Sequence, residues 1–227
     1  MATESGRVRP RQVRLLLTPS WRSIRWAPLA AVALLAGAAV VVSTRAPEPP
    51  PDGGLAAAAA LLALWSGSLL GDPTATLTAG LPTPLWFRRL VRLALGVPPA
   101  VAVWAALLVW ADPGPHEVTL TMMFLAQMAL AIGVAAAALR TLDAGREVPV
   151  VAAGLFIVFV VLPFTFEVDL APTPSADTWW LHAGRWLTIA GAGLAAFVVA
   201  SRDAAHMPTG PLIARVLHPA QAVTPAP

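Results

Sequence analysis

Six long apolar runs, almost free of charged side chains, constrain this chain more than any other feature of its sequence. They fall at about residues 26–42, 55–70, 93–110, 119–139, 148–164 and 181–200. A helix needs about 20 mainly apolar residues to cross about 30 Å of hydrocarbon, with about 17 as a lower limit. The second and fifth runs are short by this measure and would extend into their flanks or sit where the bilayer is thinned. The chain is 57% hydrophobic and only 12% charged, against about 25% charged residues in a soluble domain. The expectation is an all-α, polytopic membrane protein with six transmembrane helices.

The arginines set a direction. With the N-terminus inside, thirteen of the fifteen basic residues fall on the inner side, leaving Arg45 and Arg185 outside. Such a bias predicts an N-in, C-in arrangement. Residues 1–25 carry six of the arginines among Val13, Leu15, Leu16, Leu17, Trp21 and Ile24. They read as a basic amphipathic segment on the cytoplasmic surface rather than a signal peptide. The transmembrane domain then occupies 26–202, and 203–227 forms a proline- and alanine-rich cytoplasmic tail expected to be poorly ordered. Richness in alanine, proline, glycine and arginine points to a high-GC bacterial genome, hence a multi-pass protein of a bacterial plasma membrane.

Missing residue types exclude whole chemistries. There is no cysteine, so no disulfide, thiolate metal site or cysteine nucleophile. There is no lysine either, and a phosphate-binding P-loop requires one. The chain is therefore not expected to be an enzyme, and any ATP hydrolysis belongs to a partner. The basic balance comes from arginines flanking apolar runs, so no nucleic-acid partner is implied.

No carboxylate lies deep in any apolar run. Proton-coupled carriers, pumps and intramembrane proteases usually need buried ionisable groups, so these classes are disfavoured. Gln127 is the most polar side chain at mid-membrane depth. It reads first as a helix–helix hydrogen bond and second as a polar point on a substrate path. His182 and Arg185 lie three apart at the outer end of the sixth run, where they snorkel to the interface or contact an anionic lipid or substrate. Asp112, His116 and Glu117 sit in a proline-glycine turn and do not make a metal site; no cofactor or metal is expected. Small residues around Ser66-Gly67-Ser68 and in Ala190-Gly-Ala-Gly193 would let neighbouring helices approach closely.

The most basic internal stretch is Leu81-Pro-Thr-Pro-Leu-Trp-Phe-Arg-Arg-Leu-Val-Arg92, between the second and third runs. On a helix over 85–95, Arg88, Arg89 and Arg92 share one arc of about 100°. Trp86, Phe87, Leu90, Val91 and Leu93 fill most of the rest. Pro82 and Pro84 would set the start of the helix. The plainer reading of the arginines is a positive-inside anchor for the third span. The sharper one is a short helix lying along the membrane surface, with its guanidinium side in water or on a protein partner.

Size, six spans, inward termini, a basic amphipathic N-terminal segment and this stretch together resemble the membrane subunit of an ABC-2-type exporter. Leu81-Pro-Thr-Pro-Leu-Trp-Phe-Arg-Arg89 is also similar to the segment found in actinobacterial members. The likeness covers about residues 7–202. It implies a coupling helix at Trp86, Arg88, Arg89 and Arg92 that docks on a separate ABC ATPase subunit, in a homodimer or heterodimer of permeases embedded in lipid. The family often places re-entrant helices between spans five and six, whereas Pro172 and Pro174 leave little room for them here. The competing reading is a non-transporting structural or assembly subunit of a membrane complex.

Overall fold

A computed structural model describes residues 21, 22, 24, 26–45, 53–71, 84–140, 142, 147–161 and 179–202. Among these there is no strand. The helices are α1 (Trp26–Arg45), α2 (Gly53–Ser68), α3 (Leu85–Ala111), α4 (Glu117–Ala138), α5 (Glu147–Phe156) and α6 (Trp179–Ser201). A 3-10 turn, Gly114–His116, precedes α4, and α5 continues as a π-helical segment, Ile157–Val161. Each apolar run thus coincides with a helix. Four stretches are long and apolar enough to cross a membrane: Trp26–Arg45, Leu85–Ala111, Gly114–Ala138 and Trp179–Ser201. The amphipathic segment before Trp21, the tail from 203 and the loop over 162–178 lie outside the described residues.

Two helices form the centre. α2 packs against α1, α3, α4 and α5, and α4 packs against α2, α5 and α6. Their side chains supply half of the buried apolar core, including Leu55, Leu62, Leu120 and Phe124. At 16 residues α2 is only about 24 Å long. Four neighbouring helices pack along this short helix and bury most of its side chains.

The outer helices turn large apolar side chains outward. Leu34 is 76% exposed on α1, Val109 84% on α3 and Trp180 78% on α6. In water such surfaces would drive association. In hydrocarbon they cost nothing, and helices are the structures that satisfy their own backbone there. With four helices long and apolar enough to cross a membrane, this distribution is compatible with a multi-pass, membrane-embedded location.

Glycines bring the central helices into backbone contact. A Cβ on Gly133 of α4 would collide with the carbonyl oxygen of Gly193 on α6, and one on Gly193 with that of Ala129. A Cβ on Gly67 of α2 would lie 3.0 Å from the Ala131 oxygen on α4. The small-residue stretches expected to allow close approach do so at Gly67 and Gly193, whereas Gly191 faces open space.

One expectation is corrected. The stretch over 85–95 is not a separate surface helix: α3 runs unbroken from Leu85 to Ala111, 27 residues, through Pro98 and Pro99. Pro84 does set its start, with φ −62° and ψ 146°. Nothing between Leu85 and Gly96 interrupts a helix, and Gly96 lies against the Leu69 side chain just past α2. The tandem prolines remove two backbone donors, which a packed transmembrane helix can absorb.

Candidate functional site

The first three turns of α3 carry Trp86, Arg88, Arg89 and Arg92. Trp86 and Leu90, four residues apart, are both 43% exposed on one face. Trp86 meets Phe87 edge to face at 5.7 Å. Arg88 is half-buried. Arg89 and Arg92 are each only 6% exposed, so the expected guanidinium face toward water or a partner does not hold for these two.

The reason lies in the helix ends around them. The last carbonyls of a helix have no partner within it. The ends of α2, α4 and α6 gather beside the start of α3, and the arginines supply the missing donors. Arg92 Nη1 donates to the Gly71 oxygen just past α2, at 3.0 Å. Arg89 Nη1 donates to the Ala200 oxygen at 2.9 Å and to Ser201 Oγ at 3.2 Å. Its Nη2 donates to the Ala136 oxygen of α4 at 3.5 Å. That carbonyl is available because the Arg140 amide turns to Ala137 instead.

Arg140 completes the cluster. Its Nε donates to the same Ala200 oxygen at 3.0 Å, and its Nη2 to the Val199 and Arg202 oxygens at 2.9 Å each. Two guanidinium groups therefore share one carbonyl, with donor nitrogens no more than about 6 Å apart. At that separation and an effective dielectric of about 20 they repel by about 3 kcal/mol. The hydrogen bonds to charged donors, about 1.5–3 kcal/mol each, outweigh this. Carbonyls satisfy the donors but do not neutralise the charge.

Gln127 lies elsewhere, thirteen residues and about 20 Å along α4 from Arg140. It is 3% exposed, and its Oε1 has no hydrogen-bond partner among the described residues. The expected helix–helix hydrogen bond is therefore not made through that oxygen. Trp104 Nε1 and Trp186 Nε1 are buried without such a partner too. Trp104 stacks on Phe124, one turn from Gln127, at 4.8 Å and 16°. Trp186 stacks on Phe159 of the π segment at 5.7 Å and 20°. These groups offer neutral donors and an acceptor, not acid–base chemistry.

His182 and Arg185 stand near the opposite end of α6 from the arginine cluster. His182 is 3% exposed, so it faces the bundle rather than snorkelling outward. Among the described residues no group of three or more His, Asp or Glu gathers. The sequence residues thus divide into three places: the arginine cluster, Gln127 in the interior, and His182 with Arg185 at the far end. Arg140, Ala200 and Ser201 enter the first without any sequence signal, because their partners are far apart in the chain. Compared with known proteins, the chain matches no family model, no curated protein and no solved structure.

Proposed function

We propose that the chain is the transmembrane subunit of an ATP-driven exporter in a bacterial plasma membrane, coupling a separate ATPase to substrate movement. It would work as a homodimer or heterodimer of such permeases. The observation that supports this most is mechanical. The first turns of α3 are bonded through Arg89 to α4 and α6 and through Arg92 to α2. A push on that end of α3 would reach three further helices at once. The outward Trp86 and Leu90 and the half-buried Arg88 are the side chains on which a partner would push. Arg89 and Arg92 then serve as transmission rather than as the docking face. The lack of lysine leaves ATP binding through a P-loop to another polypeptide.

The inward arginines also favour a second reading, a non-transporting structural or assembly subunit, because their donors are satisfied within the chain. Co-purification separates the two. An exporter subunit brings down an ATPase whose turnover rises in reconstituted vesicles, and Trp86→Ala with Leu90→Ala lowers that stimulation while leaving the fold intact. An ATPase that is absent, or indifferent to both substitutions, removes the exporter reading.

A further inference from the structure

We infer that the arginine end of the bundle is a binding site for the phosphodiester headgroup of an anionic lipid, held by Arg140 and Arg202 over the C-terminus of α6. The inference does not depend on the exporter reading. Arg89 and Arg140 converge on the Ala200 oxygen, and Arg202 follows two residues later with an exposed side chain. The described acceptors of Arg89 and Arg140 are neutral carbonyls and one hydroxyl. The partial negative charge at a helix C-terminus, about half an elementary charge, offsets only a fraction of this.

Depth and geometry select the ligand. The cluster sits where α2, α4 and α6 end and α3 begins, which in a bilayer is the level of the lipid phosphates. Basic pockets between helices at this level suit anionic headgroups. Arg140 is exposed, with Nε and Nη2 bound to α6. Among the described residues its Nη1 has no partner, so that edge of a planar guanidinium is presented for phosphate oxygens. The exposed apolar flanks of α3 and α6, such as Leu90, Val198 and Val199, would lie along the acyl chains.

The test uses the full chain purified in a neutral detergent. Retention of phosphatidylglycerol and of phosphatidylcholine from an equal mixture is measured by native mass spectrometry. The wild type should retain phosphatidylglycerol preferentially. Each basic residue near an anionic surface is worth about fivefold in binding, so Arg140→Gln and Arg202→Gln should each cut the preference about fivefold. Arg185→Gln, with the same charge change at the other end, should leave it intact. Arg202→Gln carries the test if Arg140→Gln proves unstable, since no described side-chain contact is lost. Equal retention of the two lipids, or equal effects of all three substitutions, overturns the site. Abolition of the preference by millimolar inorganic phosphate, with the same thermal stabilisation by phosphate alone, overturns the lipid and assigns the site to the free ion.

Discussion

At the scale of single residues, the decisive fact is that Arg89 is a fastener. Its three acceptors lie on the ends of two other helices. Removing it deletes those bonds, although it also relieves repulsion from Arg140. The bonds are the larger quantity, so Arg89→Ala should destabilise the protein by about 2 kcal/mol in a thermal or denaturant titration. Arg89→Lys should recover only part, because a single ammonium nitrogen replaces the two separated nitrogens that reach α6 and α4. Gln127 carries the opposite sign. Its Oε1 is buried without a hydrogen bond among the described residues, and such a group costs about 1–3 kcal/mol. Gln127→Leu keeps the volume and should raise stability by about 1 kcal/mol in the same assay. A loss instead would mean that the amide holds a water or a substrate. Neither role could be read from the sequence. The Arg89 partners stand 111 and 112 residues away on α6 and 47 away on α4. Periodicity places a side chain on a face and cannot say what the face meets.

At the scale of helices, the apolar runs predicted where elements would lie, because uniform apolarity over such lengths has few other outcomes. They failed at the start of α3. Three arginines on one arc resemble a wet face, and the carbonyls that bury Arg89 and Arg92 lie 21 to 111 residues away in the chain. The glycine stretches were legible to a similar degree: Gly193 was marked as a contact, but not Gly133, its neighbour on α4. The two helices run parallel there, with Gly133 beside Gly193 and Arg140 beside Ala200, both pairs sixty residues apart. A side chain at either glycine must push backbone from backbone. Gly193→Val should therefore cost about 1–3 kcal/mol and should lengthen the Arg140 bonds to α6. A double-mutant cycle with Arg140→Gln checks this. The two substitutions should be non-additive, since the second removes bonds that the first has already weakened. Strict additivity would mean that the crossing and the arginine clasp are independent.

At the scale of the whole molecule, the contacts give each helix a direction. Gly54 at the start of α2 lies against Ser43 at the end of α1, and Gly71 after α2 meets Arg92 at the start of α3. The turn at Asp112 reverses α3 into α4, with Asp112 at φ 44° in the left-handed region. Gly154 of α5 packs on Val134 of α4, and Phe159 on Trp186 of α6, so α5 runs against both. Arg88, Arg89, Arg92, Arg140 and Arg202 therefore share one end, while Arg45 and Arg185 share the other. If the bundle spans a bilayer along its axis, the arginine-rich end should face the cytoplasm. The chain has no cysteine, so single cysteines report position without background. Thr83→Cys and Pro115→Cys flank α3, whose 27 residues extend about 40 Å and exceed the hydrocarbon thickness. In intact cells an impermeant maleimide should label Pro115→Cys and spare Thr83→Cys, and permeabilisation should expose both. Pro50→Cys, between α1 and α2, should behave like Pro115→Cys if the short α2 crosses with its neighbours. Were Pro50→Cys protected while Pro115→Cys reacts, α1 and α2 would not both cross the membrane as an antiparallel pair. Labelling of Thr83→Cys alone would invert the molecule and place the arginine end outside.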